Sequence, residues 1–158
     1  MKASVLIFAL AVAATVAPAA AQQSREDEEK AVLAVVNRLF DGMRTRDTVA
    51  LKAVFAPNAR LLGVGRDGQN LNVTTPEQFI GAIARATGPA WNETIYKPEI
   101  RVDQNLATVW TEYDFHAGTQ FSHCGIDAFQ LLKFADGWKI VSLADTRRQQ
   151  GCPARPER

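Results

Sequence analysis

Four runs of side chains in the second half of this sequence alternate with a period of two, and they decide what the rest of the chain must do. Residues 94–102, 107–116, 121–134 and 138–146 read as strands, and Asp103-Gln104-Asn105, Gly118 and Asp136-Gly137 supply the turns between them. Long strands joined this tightly predict an antiparallel meander, because parallel neighbours need a crossover of a dozen or more residues. A sheet of this kind buries at least one face, so the preceding residues have to cover it.

The upstream half has the other period. Ser24 is placed to cap a helix with an acidic first turn (Glu26, Asp27, Glu28, Glu29), and Val32, Val35, Val36, Leu39, Phe40 and Met43 form its apolar stripe. Asp47 looks like the cap of a short second helix that contributes Leu51 and Val54 and stops before Pro57. Thr75-Pro76-Glu77-Gln78 combines a capping Thr, a Pro at the first helical position and a Gln three residues on, so a third helix starts there and presents Phe79, Ile80 and Ile83. Short strands at 60–64 and 71–73 flank a Gly-rich bend at 63–68. That bend lacks the Lys-Ser/Thr ending of a phosphate loop and reads as a hairpin turn.

The first residues are read as an export signal. Met1-Lys2 begins with a positive charge, residues 3–16 are apolar, and Ala19-Ala20-Ala21 is a small-residue cleavage site, which assigns 1–21 to a signal peptide and 22–158 to a single domain. The apolar run is interrupted by Pro18 and shorter than the ~20 residues a spanning helix needs, which argues against an uncleaved anchor. No later stretch is long and apolar enough to span a membrane, so none is expected after cleavage. The expected location is periplasmic or secreted. A formal net charge of +1 on 158 residues argues against a nucleic-acid surface. In an oxidising compartment the two cysteines, Cys124 and Cys152, are expected to form a disulfide. The alternative, a Cys124 thiolate activated by His123, is disfavoured because adjacent strand residues point to opposite faces.

Two helices, a hairpin, a third helix and a meander make an α+β domain. The expected form is a cone-shaped barrel: a curved antiparallel sheet closed by three N-terminal helices around a pocket. Leu39-Phe40-Asp41-Gly42, Asp47, Leu51, Phe55-Ala56-Pro57-Asn58-Ala59 and Asp136-Gly137-Trp138-Lys139-Ile140, in this order, resemble the nuclear transport factor 2 superfamily, which includes SnoaL-like proteins and ketosteroid isomerases. Residues 123–131 and Thr146-Arg147-Arg148 with Gly151-Cys152 resemble its exported bacterial members labelled "putative lumazine-binding". The resemblance implies the cone fold and leaves activity open, because this fold hosts isomerases, cyclases, dehydratases and binding modules. The isomerases carry a carboxylate base in the strand after the second helix, but here that strand reads Ala59-Arg60-Leu61-Leu62-Gly63 and holds no acid.

Candidate pocket residues follow from strand parity. His123 and Asp127 share a face, and they serve either as a proton-transfer or ligand-anchoring pair or as a polar pair stabilising the strand. Trp110 lies on the same face as Glu112, Asp114 and His116, while Val109, Thr111, Tyr113 and Phe115 look like core. Asp145 and Arg60 complete the candidates. His116, His123, Asp114 and Asp127 match no standard metal motif, so neither metal nor cofactor is expected. Trp91 and Trp138 read as core or rim aromatics, and the triplets at 72–74 and 92–94 as chance glycosylation sequons. Ile126, Leu132 and Phe134 on one face of their strand, and Phe129 and Leu131 on the other, imply a homodimer through the sheet face. Two functions stay open: an exported small-molecule-binding protein, or a cofactor-independent isomerase or dehydratase using the His123/Asp127 pair.

Overall fold

The computed structural model describes residues 17–65 and 68–155. The element order is α1 (Ala17–Thr45), α2 (Thr48–Val54), β1 (Phe55–Val64), β2 (Leu71–Thr74), α3 (Pro76–Arg85), β3 (Trp91–Asp103), β4 (Leu106–Ala117), β5 (Gln120–Phe134) and β6 (Gly137–Asp145). Among the described residues no helix is long and apolar enough to cross a membrane. Most of the expected signal peptide, residues 1–16, falls outside the described residues.

Two of the three expected helix starts are built as read. Asp47 accepts from the amides of Val49 and Ala50 at the head of α2, and Thr75 and Gln78 form a reciprocal capping box at the head of α3. Ser24 does not cap α1, which runs without a break from Ala17. The Ala and Gln residues before Ser24 are good helix formers, and pairs such as Gln23 to Asp27 at 3.1 Å and Arg25 to Glu29 at 3.0 Å extend the helix through this position.

The sheet corrects the expected antiparallel barrel. Its order is β2-β1-β6-β5-β4-β3. Strands β3 to β6 form the meander as read, but β1 lies parallel to β6, and β2 and β3 remain as edges, so the sheet is mixed and open. The long connection that a parallel pair demands is the whole chain between β1 and β6. Only α1 and α2 precede the sheet; α3 lies between β2 and β3.

All three helices pack on one face. Val32, Val36 and Leu39 of α1, Leu51 of α2 and Ile83 of α3 meet Phe129, Leu131 and Ile140 in one core, each at most 1% exposed. Phe40 meets Phe129 edge to face at 6.1 Å. Gly42 lets α1 and α2 close, since a Cβ there would lie 2.9 Å from the Leu51 side chain. An extra residue in β6, where Gln130 pairs Ser142 but Leu131 pairs Ile140, puts Trp138 and Ile140 on the same inward face as Leu143 and Asp145.

Beyond β6 the chain keeps pairing with β5. Arg148 and Cys124 exchange both backbone hydrogen bonds at 2.9 Å, and the Cys124–Cys152 disulfide forms as expected. The tail then crosses the outer face, where Arg155 binds Asp114 and Glu112 and lies 4.0 Å from the Tyr96 ring centre. The loop closed by the disulfide has a sequence separation of 28. In the chain-entropy account that closure is worth about 3.5 kcal/mol, so the double variant Cys124→Ala/Cys152→Ala should lose roughly that in urea unfolding. A loss below about 1 kcal/mol would mean that Arg155, rather than the disulfide, holds the tail.

Candidate functional site

The inner face changes character toward the end of the sheet where β3 starts and β6 ends. Cross-strand partners there run Glu93–Phe115–His123 and Thr111–Asp127–Asp145–Gly63, so three carboxyls from β3, β5 and β6 meet on the helix side of the sheet. Asp127 is only 2% exposed. Its Oδ2 is buried and receives no N–H or O–H from the described residues. The partner in reach is the Glu93 carboxyl, which hydrogen-bonds Asp127 and can do so only while one of the two keeps a proton.

The electrostatics follow. Burial pushes Glu93 well above the usual carboxylate range, with the Asp127 and Asp145 charges adding to the effect. Burial likewise raises Asp127, to about 7; its hydrogen bond to Glu93 pulls the other way and Asp145 adds to the rise. The pair therefore holds one proton near neutral pH. Asp145 is different because Arg147 pairs with it, Nε to Oδ2 at 2.5 Å, at the exposed rim.

Gly125 organises the centre of the site. A Cβ there would lie 1.8 Å from the Thr146 carbonyl oxygen and 2.7 Å from the Tyr113 ring, so only glycine lets that backbone and ring pass. The Tyr113 hydroxyl donates to the Thr146 carbonyl at 2.8 Å. Burial and the neighbouring Asp145 carboxylate keep that phenol protonated.

The sequence-derived candidates are not all in one place. Asp127 and Asp145 come together on the inner face. His123 shares that face but does not pair with Asp127: its Nδ1 is hydrogen-bonded to Ser122 Oγ at 3.0 Å, and its ring stacks on Phe115 at 4.9 Å. The Tyr113 ring and the Thr146 carbonyl fill the gap over Gly125 that separates the two. Burial first, and then Arg147, lowers the His123 pKa and favours its neutral form. Trp110 lies on the opposite, outer face, 54% exposed, beside an open concavity of about 650 Å³ also lined by Leu62, Ala128, Gln130 and Ser142. No buried carboxyl of the inner site borders that concavity. Arg60 is exposed and folds back onto the carbonyls of Asn58 and Ala59. Glu93, Tyr113 and Arg147 are the site groups that the sequence reading did not select.

An open six-stranded sheet with three helices on its inner face is the fold of nuclear transport factor 2-like proteins. The match of a family model over residues 27–144 is specific: the chain belongs to the family described as "Putative lumazine-binding". Solved structures share the fold. A nuclear transport factor 2-like protein of unknown function from Shewanella baltica is 20% identical over 79% of this chain and 97% of its own, with a TM-score of 0.62. One from Silicibacter pomeroyi, also of unknown function, is 23% identical over 78% and 98%, with a TM-score of 0.61. A third, from Novosphingobium aromaticivorans and described as having a cystatin-like fold, is 11% identical over 88% and 94%, with a TM-score of 0.70. No curated protein matches the chain.

Proposed function

We propose that this is an exported small-molecule-binding protein, cleaved after residue 21, whose ligand sits between the helices and the inner face of the sheet. The observation that carries the reading is the buried Asp127 carboxyl, which lacks a donor from the described residues other than an acidic Glu93. A polar group buried this deeply costs stability unless something satisfies it, and a ligand that brings donors does so. The aromatic wall of Trp91, Phe115 and His123, with Trp91 and Phe115 edge to face at 6.2 Å, supplies the apolar body of such a pocket. No metal or cofactor is part of this reading.

The outer face supports a homodimer. Trp110 and Leu106 are exposed there at 54% and 46%, together with Phe134 at 44%, on a sheet surface that no helix covers. One experiment tests both statements: native mass spectrometry of the protein purified from its exported compartment without refolding. The expected spectrum shows a dimer that carries a small molecule released on denaturation. An empty protein would remove the support for a bound ligand, and a monomer at micromolar concentration would remove the dimer.

A second reading is favoured by one observation. Asp127 is held at about 7, where a general base works best at neutral pH. In that case the protein is a cofactor-independent isomerase or dehydratase that moves a proton through Glu93 and Asp127.

A further inference from the structure

We propose that the Glu93–Asp127 pair is the seat of a positively charged, N–H-bearing group on a small organic ligand, which donates to the buried, unpartnered Asp127 Oδ2. This rests on the ligand-binding reading above and goes beyond it by naming the class of ligand.

Charge balance carries the argument. Three carboxyls meet at this end of the inner face, and the cation beside them, Arg147, is committed to Asp145 at 2.5 Å. Nothing positive from the described residues hydrogen-bonds Glu93 or Asp127. Each group acting on the pair fails to neutralise it: Tyr113 on β4 gives its proton to the Thr146 carbonyl, and His123 on β5 stacks on Phe115 and bonds Ser122. Asp145 on β6 adds negative charge, while Arg147, past the end of β6, acts from the exposed rim with a side chain 70% exposed. Two buried carboxyls in contact cannot both ionise without a counter-ion, so the shared proton is the charge that holds them together.

A bound cation can take that proton's place. An amidinium or guanidinium fits better than a simple point charge, because its planar N–H fork reaches two carboxylate oxygens at once and satisfies the orphaned Asp127 Oδ2. The wall of Trp91, Phe115 and Ile95 suits an aromatic or alkyl body behind the charge. An anionic ligand would meet three carboxyls.

On binding, the cation forms N–H···O hydrogen bonds to both carboxylates, and the displaced proton leaves to solvent. Affinity therefore rises with pH until the pair is already ionised. The test uses benzamidine as the cationic probe, with benzamide and benzoate as neutral and anionic controls, by titration calorimetry in two buffers of different ionisation heat. Benzamidine should bind with release of up to about one proton per site, and its affinity should rise up to tenfold between pH 6 and pH 7, the linkage limit for one proton. Asp127→Asn should weaken it at least tenfold and abolish the proton release, with circular dichroism confirming that the variant is folded. Glu93→Gln is the second variant, and it should also abolish the release.

Tighter binding of benzamide or benzoate than of benzamidine, with the same sensitivity to Asp127→Asn, would overturn the cation assignment and leave the ligand-binding reading standing. Benzamidine binding without proton release would also overturn it, as would no benzamidine binding at pH 8 up to millimolar concentration. A neutral or anionic molecule retained in native mass spectrometry has the same meaning, whereas an empty protein counts against the ligand-binding reading itself.

Discussion

Replacing Asp127 by Asn should make the protein more stable at pH 8 and flatten its loss of stability with rising pH. In the folded state burial raises the Asp127 pKa from 3.8 to about 7. A carboxyl whose folded pKa lies above its unfolded value binds its proton more tightly when folded. Its contribution is therefore fully present below about pH 4 and is lost as pH climbs through about 7. Each unit is worth about 1.4 kcal/mol, so the full loss is at most about 4 kcal/mol, and a realised figure on the order of 2 kcal/mol corresponds to roughly 5–8 °C in melting temperature. His123 acts in the opposite sense. Its lowered pKa makes it a source of stability above pH 6.5 that is lost as pH falls, so the two trends overlap in the acid range and separate above it. Comparing wild type with Asp127→Asn at pH 5 and pH 8 cancels the histidine term. A variant that melts at or below the wild-type temperature at pH 8 would show that Asp127 is already satisfied in the folded protein.

A stabilising substitution at a buried carboxyl has a functional meaning. A core position selected for stability alone would hold an apolar or amide side chain here, and two neighbouring carboxyls impose a cost that the fold does not need. The inner face carries this cost at one end only. Toward the other end the same strands present Val109, Phe129, Leu131 and Ile140, all buried, so the polar end is local and belongs to a site rather than to the architecture.

Much of this could be read from the residues, for reasons that are local. The capping box at Thr75 and Gln78 and the cap at Asp47 are hydrogen-bonding patterns complete within four residues, and both were legible. Strand parity placed Asp127 with Phe129 and Leu131, and the structure buries all three. What escaped depends on distant partners. The parallel pairing of β1 with β6 joins residues some eighty positions apart, and no short pattern encodes it. Glu93 lies outside the strand expected from Thr94, because β3 begins three residues earlier, at Trp91. Extending the alternation back from Ile95 puts Glu93 on the inward face, which is the signal that could have found it. His123 and Asp127 do share a face, yet sharing a face set no distance between them, and the glycine at 125 was the clue that something else occupies that space.

That glycine supports the prediction with the largest expected effect. Gly125→Ala should destabilise the protein by about 3–5 kcal/mol, which places it among the exceptional single substitutions. Two effects of opposite sign compete. Its backbone is not among the left-handed positions, so alanine is conformationally acceptable there, and the loss of unfolded-state freedom alone would stabilise the protein by about 0.4–1 kcal/mol. Against this stands a Cβ only 1.8 Å from the Thr146 carbonyl oxygen, a backbone atom that cannot move aside as a flexible side chain would. The contact can be relieved only by lifting the chain after β6 from β5, which breaks the Tyr113 hydrogen bond to Thr146 and draws Arg147 away from Asp145. Chemical denaturation decides by the sign of the effect, and hydrogen exchange locates it, because the amides of Thr146 and Arg148 should lose protection before the core strands do. A neutral or stabilising Gly125→Ala would mean that the Thr146 carbonyl does not cross the site, and the space between His123 and Asp127 would then be open to a ligand.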